Sequence, residues 1–208
     1  RSPAAAKKLG IQIVCQEVDQ ALAPALSAAE NMLLDELGRP GRLWINWRAL
    51  YQRAERLKDQ LRLGFDLRTP VHRLTLAQKQ MVLIARALHS RCQILLLDEP
   101  TANLDIATRR EILSVLTDMK DVIQTAVIAT HDMQLVCQWA DRVVVLCQGK
   151  VVADGPVDEI FSRQDVAQQV GIRPPEIFTM AQALDPAALC YTIEEFLESF
   201  QEGTPCSH

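Results

Sequence analysis

The sequence has 208 residues, of which 49% are hydrophobic and 23% charged, a balance typical of a folded globular protein. This length suits one domain, or one domain with an appendage. The formal net charge of −4 argues against a nucleic-acid surface, and no apolar run reaches the roughly 18 residues of a membrane helix. A role at a membrane would therefore require a partner.

The first part of the sequence predicts a short strand followed by helices. Residues 10 to 15, GIQIVC, form an apolar run of strand length that ends at Gln16. Ser27 and Glu30 have the spacing of a capping box, which predicts that a helix starts after Ser27. A loop is expected around Pro40, where glycine and proline lie close together.

An amphipathic helix is predicted next, because apolar residues recur with helical spacing. Asn46 is suited to cap its first turn, and Gly64 is expected to end it. A further helix is predicted over about 77 to 90, just after Thr75. The apolar positions of the amphipathic helix are Trp47, Leu50, Ala54, Leu57 and Leu61.

Beyond residue 90, predicted strands alternate with helices, which favours a parallel sheet. Residues 93–97 are a short apolar run, as expected for a strand that is covered on both faces, and residues 125–129 are predicted to form a second buried strand. The remaining predicted elements are helices over 107–120, 133–139 and 157–163, strands over 142–147 and 150–153, and a last helix from about 193.

Two adjacent carboxylates, Asp98 and Glu99, come directly after the first of these apolar runs. The carboxyl end of a parallel strand lies at the sheet edge where α/β proteins bind ligands. One carboxylate there can hold Mg²⁺, and a second can orient or deprotonate a water. Taken alone, the pair is explained about equally well as solvated charges at the start of a loop.

Three further features favour chemistry at this edge. His131 follows the second apolar run and could hydrogen-bond a phosphate oxygen or the attacking water. Gln16 ends the first strand, and its amide could contact a metal or a water. Thr75 and the backbone N–H groups after it would form a helix N-terminus, which attracts anions. Each also has a structural explanation, which for Thr75 is ordinary helix capping.

In this order, five segments resemble those of the nucleotide-binding subunit of an ABC transporter. IVCQE resembles the Q-loop, LTLAQKQ the signature segment, ILLLDEP the Walker B strand with its following Glu, TANLD the D-loop and IATHD the switch loop. The resemblance covers residues 10 to 155 and is far more specific than any single motif. It implies a P-loop NTPase-like α/β fold with a mostly parallel sheet and an inserted helical subdomain.

The resemblance also implies a role for each of these residues. Asp98 would assist Mg²⁺, Glu99 would polarise the attacking water and His131 would contact the γ-phosphate of ATP. Gln16 would sense metal and water and couple them to a transmembrane permease subunit, and Asp105 would help to set the dimer geometry. The signature residues would reach ATP bound to a second ATPase subunit, in a homodimer or a heterodimer. They are Thr75, Leu76, Ala77 and Gln78.

Two features depart from the family pattern. No G-x-x-x-x-G-K-[ST] phosphate loop occurs, although the family has one upstream of the Q-loop. The sequence starts at Arg1 without Met, so we expect a truncated domain that lacks the first strands and the P-loop, rather than a true relative without one. This chain alone is expected to bind ATP weakly or not at all. Leu76 and Ala77 replace two glycines, which limits close approach of the backbone to phosphate.

The implied organisation is a partial nucleotide-binding domain over 1–165 and a C-terminal helical extension over 166–208. Within the first, the Q-loop and helical subdomain occupy about 18–75, and the signature helix, Walker B, D-loop and switch loop occupy about 76–165. The helical segment would dock the permease. The implied function is an ATP-hydrolysing importer subunit on the cytoplasmic face of the membrane, with ATP and Mg²⁺ as cofactors and no nucleic-acid partner.

The two halves of the sequence resemble different importers. The first half resembles sugar-importer ATPases, whose first signature is often degenerate. The second half, with THD, ADRV, VADGP and an RPPE tail, resembles energy-coupling-factor ATPases for vitamins or metal ions, and this type is slightly favoured. Two functions outside import are also considered: a regulatory module that keeps the dimer surface without turnover, and an ABC ATPase that acts on nucleic acid or ribosomes. The lack of a basic stripe argues against the last.

Overall fold

The chain divides into two compact units, Arg1–Thr130 and His131–His208. The domain boundary predicted at residue 165 stays a prediction. The predicted loop at Pro40 and the end of the C-terminal extension lie outside the described residues. The computed structural model describes residues 2–38, 44–90, 92–120, 122–163, 165, 170–186 and 188–201.

The first unit contains a parallel sheet with the strand order β1 (Ile11–Val14), β2 (Ile94–Asp98) and β3 (Thr125–Ala129). The central strand is the most buried, with Leu95 and Leu97 almost fully enclosed. Val14 pairs with Leu97, and Asp98 pairs with Ala129. Because the pairing is parallel, the carboxyl ends of all three strands lie at one edge of the sheet.

One face of this sheet is more open than the sequence predicted. Ile13 pairs with Leu96, which pairs with Val127, so these three side chains share a face. Ile13 is 60% exposed and Val127 is 51% exposed. The prediction that residues 125–129 form a buried strand is therefore wrong about burial. The predicted coverage of 93–97 on both faces holds for Leu95 and Leu97, whereas Ile94 and Leu96 are only half-buried. β3 alternates between exposed and half-buried positions, as expected where only one face of a strand is covered.

The predicted helix starts are confirmed in the first unit. Ser27 and Glu30 form a complete capping box, and the Asn46 side chain accepts from the Ala49 N–H at 3.0 Å. The helices are α1 (Pro3–Lys8), α2 (Val18–Ala21), α3 (Ala28–Met32), α4 (Leu34–Leu37), α5 (Trp47–Gln60), α6 (Leu76–His89) and α7 (Ile106–Met119).

The predicted end of α5 at Gly64 is wrong, because the helix stops at Gln60. Arg62 then adopts a left-handed conformation with φ of 51°, which turns the chain out of the helix axis before the glycine is reached. The predicted apolar face is confirmed at Leu50, Ala54, Leu57 and Leu61, which are buried, but it is wrong at Trp47, which is 48% exposed in the first turn.

The buried helix α6 organises the core of the first unit. Val82, Ile84 and Ala85 are fully enclosed, as expected for a helix surrounded by α2, α3, α5 and β1. Ile112 of α7 adds to the same core with no exposed surface.

The second unit is described by itself. β4 (Val143–Cys147) and β5 (Lys150–Gly155) form an antiparallel hairpin, and its turn residues Gln148 and Gly149 have φ of 49° and 74°. Two successive left-handed residues are typical of the tight turn that matches strand twist. The helices given by the described residues are α8 (Met133–Trp139), α9 (Val157–Ser162), α10 (Glu176–Leu184) and α11 (Ile193–Gln201).

The second unit is held together partly by aromatic packing. Phe178 stacks on Tyr191 with ring centroids 5.3 Å apart and packs at a tilt against Phe161 at 6.3 Å. We call these three residues the aromatic cluster. Thr192 and Glu195 bond each other's backbone N–H groups at the start of α11, as the sequence predicted. Within the described ranges, no helix is both long and apolar enough to cross a membrane.

Candidate functional site

The end of β2 carries the two predicted carboxylates. Asp98 is the last residue of the strand and is exposed, while Glu99 is half-buried. Glu99 adopts a left-handed conformation with φ of 45°, which costs about 1–2 kcal/mol for a residue with a side chain. Its N–H donates to the Ala129 carbonyl at 2.9 Å, so the chain turns sharply but stays attached to β3.

The side chain of Glu99 is bonded to the residue that follows β3. The Thr130 hydroxyl donates to Oε2 of Glu99 at 3.0 Å. In the sequence, Thr130 stands only as part of the switch-loop motif, with no predicted role of its own. A hydroxyl directly after a strand that neighbours β2 was the available signal, but the turn at Glu99 that makes the bond possible has no sequence signature.

Gln16 lies at the same edge of the sheet. It comes two residues after Val14, which pairs with Leu97 next to Asp98, and its side chain is exposed. The parallel register therefore gathers Gln16, Asp98, Glu99 and Thr130 at the carboxyl ends of three adjacent strands. Each side chain offers an oxygen atom, which is the ligand type that Mg²⁺ prefers and which can also accept a hydrogen bond from water.

The segment after Gln16 is fastened to α6 and to itself. Lys79 of α6 contacts Asp19 of α2 at 2.7 Å, and Arg86 of α6 donates to the Ala21 carbonyl at 2.9 Å. Asn31 is fully buried; its amide accepts from the N–H of Ala23 and donates to three carbonyls, those of Ala23, Leu26 and Ser27. These contacts fix the backbone conformation of the segment that follows Gln16. None of them was predicted from the sequence.

The signature residues lie at the start of α6. The Thr75 N–H donates to the Gln78 side chain at 3.0 Å, and the Gln78 N–H donates to the Thr75 hydroxyl at 3.3 Å. This capping box is the structural explanation that the sequence allowed. Ala77 is buried, whereas Leu76 is 39% exposed and so presents the bulk that replaces glycine. Contact of this segment with a nucleotide stays a prediction.

Asp105 caps α7. Its carboxylate accepts from the N–H of Thr108 at 3.0 Å and from the Thr108 hydroxyl at 2.8 Å. These bonds, the N–H first, hold the pKa of Asp105 below its ordinary value because they favour the charged form. Its predicted effect on dimer geometry stays a prediction.

His131 is the first residue of the second unit and is exposed. Its contact with a γ-phosphate stays a prediction. The next residue, Asp132, caps α8 by accepting from the N–H groups of Gln134 and Leu135 at 3.1 and 3.2 Å. The THD segment therefore joins the end of β3 to the start of a helix.

The donors at the sheet edge fit Mg²⁺ that is shared with a nucleotide. Asp98 and Glu99 supply carboxylates and Gln16 an amide, all with oxygen donors. In the part of the chain that the structure describes, no three or more His, Cys, Asp and Glu side chains group as a metal cage would require. Mg²⁺ is commonly held by one or two carboxylates together with phosphate oxygens and waters, which agrees with this smaller set.

Known proteins that are similar to this chain belong to the family that its sequence motifs resemble. A family model described as ABC transporter matches residues 2–102. The solved structure of cbiO1 from Clostridium perfringens, part of the ABC transporter complex cbiONQ, is 30% identical with a TM-score of 0.65, and the match covers 85% of this chain and 69% of that one. The chain belongs to the ABC transporter ATP-binding family.

Curated members of the ABC family include both predicted importer types. The ribose import ATP-binding protein RbsA 3 of Rubrobacter xylanophilus is 38% identical over 170 residues, which cover 81% of this chain and 34% of that protein. The cobalt import ATP-binding protein CbiO of Rhodobacter capsulatus is 40% identical over 117 residues, which cover 56% of this chain and 42% of that protein. The chain thus spans about a third of the length of the sugar-importer relatives it matches.

The ABC fold itself is confirmed by further solved structures. The ATP-binding cassette MJ1267 in its ADP conformation has a TM-score of 0.63 at 22% identity, which supports the fold alone. The predicted α/β class with a parallel sheet and helices is therefore confirmed. The resemblance to both sugar-importer and energy-coupling ATPases is confirmed as well, since an energy-coupling factor transporter ATP-binding protein of Methanospirillum hungatei is 34% identical over 121 residues.

Proposed function

We propose that this chain is part of the ATP-hydrolysing subunit of an ABC importer. The observation that carries the proposal is that Asp98, Glu99 and Gln16 follow the carboxyl ends of two neighbouring strands of one parallel sheet. Family membership supports ATP as the nucleotide. The edge provides one exposed carboxylate for a cation and a second, anchored carboxylate for a water.

Each residue at the edge then has a chemical role. Asp98 would hold Mg²⁺ together with phosphate oxygens of ATP, and the ion would neutralise charge on the transferred phosphate. Glu99 accepts a proton from the water that attacks the γ-phosphate. Gln16 would orient that water and offer its amide oxygen to Mg²⁺. His131 hydrogen-bonds the γ-phosphate, and Thr75 through Gln78 contact ATP bound to a second ATPase subunit.

The 208 residues contain no G-x-x-x-x-G-K-[ST], so the phosphate contacts that such a loop makes are not among those described here. On its own, the chain is expected to bind ATP weakly or not at all. Isothermal titration of the 208-residue chain with Mg²⁺ and ATP tests this expectation, and micromolar affinity would contradict it.

For the importer class, we favour the energy-coupling-factor type, which serves vitamins or metal ions. The tail and the CbiO relatives support it. The sugar-importer type is the second candidate, supported by the longer match to RbsA 3. In both, the chain acts at the cytoplasmic face of the membrane with a transmembrane permease and a second ATPase subunit. A non-catalytic regulatory module is the third possibility.

The test uses the complete gene product, purified with its permease and reconstituted in vesicles. We expect Mg²⁺-dependent ATP hydrolysis and ATP-driven uptake of a vitamin or of Co²⁺ or Ni²⁺, with both lost in Asp98→Asn. Uptake of a pentose or galactoside instead would favour the sugar-importer candidate. A stable complex that hydrolyses no ATP would contradict the catalytic proposal and favour the regulatory module.

A further inference from the structure

We propose that Thr130 is a positioning residue that aims the Glu99 carboxylate at the attacking water. The inference rests on the proposed ATPase function and extends it to a side chain that contacts neither nucleotide nor metal in that scheme. Its basis is the hydrogen bond from the Thr130 hydroxyl to Oε2 of Glu99, 3.0 Å long.

Glu99 is attached to β3 at two points. Its N–H donates to the Ala129 carbonyl, which continues the pairing of Asp98 with Ala129 by one further bond. Its carboxylate bonds the next residue of the same strand end, Thr130. The backbone and the side chain of Glu99 are thus both hydrogen-bonded to the carboxyl end of β3. Together, the two bonds restrict the direction of the carboxylate.

The backbone of Glu99 makes this restriction necessary. With φ of 45°, Glu99 is in the left-handed region, where a residue with a side chain persists only if its surroundings hold it. A glutamate also has three rotatable side-chain bonds, and freezing them costs conformational entropy. A general base must lie within hydrogen-bond reach of the proton it takes, so uncontrolled rotation would directly reduce the rate.

Thr130 is well suited to hold the carboxylate. Its β-branched side chain has few rotamers, so its hydroxyl has a defined direction. It is half-buried, which limits competition from water for the bond. It also directly precedes His131 in the chain, so its backbone links the end of β3 to the predicted γ-phosphate ligand.

A matched pair of variants separates positioning from packing. Thr130→Val keeps the shape of the side chain and removes the hydroxyl, whereas Thr130→Ser keeps the hydroxyl and removes a methyl group. Thr130→Ala adds a second hydroxyl-free variant that introduces no bulk. All three are measured in the complete gene product with its permease, beside the wild type and Glu99→Gln.

We expect Thr130→Val and Thr130→Ala to lower kcat for ATP hydrolysis by roughly ten- to hundredfold, since small misplacements of a catalytic group have effects of this size. The KM and the binding affinity for ATP should stay within about threefold, because ground-state binding is unchanged. Thr130→Ser should restore kcat to within about threefold of wild type. In a Glu99→Gln background, adding Thr130→Val should cause no further loss.

The inference would be overturned by unchanged kcat in both hydroxyl-free variants, by equal loss in Thr130→Ser and Thr130→Ala, or by a loss that appears only in ATP affinity. A further loss on top of Glu99→Gln would also overturn it, because Thr130 would then act independently of Glu99. Failure of the proposed function gives a different pattern. There the wild type hydrolyses no ATP, or Glu99→Gln keeps the wild-type rate, and both proposals fall.

Discussion

The carboxyl edge of the parallel sheet and the aromatic cluster of the second unit use their side chains in opposite ways. At the sheet edge, Asp98 is exposed and Glu99 is held by a hydroxyl and a backbone carbonyl. In the aromatic cluster, Phe178 is buried between Phe161 and Tyr191. The sheet edge presents side-chain oxygen atoms at the surface, whereas the aromatic cluster packs rings in the interior.

This difference separates two kinds of consequence. Substitutions in the aromatic cluster should change the free energy of unfolding, because the rings contribute buried apolar surface. Substitutions at the sheet edge should change the rate of ATP hydrolysis far more than the free energy of unfolding, because these side chains bury little apolar surface. The predictions below test this separation, beginning with the largest effect on stability.

Phe178→Ala should give the largest destabilisation, about 3–5 kcal/mol, because it removes a buried ring and leaves a cavity beside Tyr191. Urea unfolding of the chain measures it. Met180→Ala is the control on the same helix, since Met180 is 55% exposed and its loss should cost less than about 0.5 kcal/mol. Equal losses in the two variants would show that the aromatic cluster does not stabilise this unit.

Asn31→Leu tests whether a buried polar side chain contributes to the free energy of unfolding, as the aromatic cluster does. The substitution removes the partner of several backbone groups in a fully buried site, which should destabilise the chain by about 1–3 kcal/mol. Gln138→Ala, at an exposed position, is the control and should change little. If Asn31→Leu leaves the urea midpoint unchanged, the amide does not hold the segment after Gln16.

Asp105→Asn addresses an exposed carboxylate with a local role. The lowered pKa of Asp105 means that the ionised cap stabilises α7 above the unfolded-state pKa, and that this stabilisation disappears as pH falls through the lower, folded-state pKa. Asparagine still caps but does not titrate. Between about pH 6 and pH 3, the variant should therefore lose less stability than the wild type in urea titrations. Parallel curves would contradict the assigned cap.

Much of the fold followed from local patterns. Capping pairs such as Ser27 with Glu30 and Thr192 with Glu195 marked helix starts, because both partners lie within one turn. The strand at 125–129 was placed correctly but its burial was not. Burial depends on which layers cover a sheet, and an apolar run carries no information about its neighbours in space.

The positions of the candidate site residues were predictable to the same extent, whereas their roles stay predictions. Asp98 and Glu99 were found because strand ends in parallel sheets gather at one edge, and Gln16 followed by the same reasoning. The bond from Thr130 to Glu99 was not predictable, since it depends on the left-handed turn at Glu99. The four bonds of Asn31 were also hidden, because a single asparagine in an apolar helix looks the same whether it is buried or exposed.

The central claim is that Glu99 takes the proton of the attacking water. Its most direct test is ATP hydrolysis by Glu99→Gln in the complete gene product, with Glu111→Gln at an exposed position of α7 as the matched control. We predict a loss of at least about a hundredfold in kcat with ATP affinity retained, because an amide cannot act as a base. Wild-type hydrolysis by Glu99→Gln would contradict the claim.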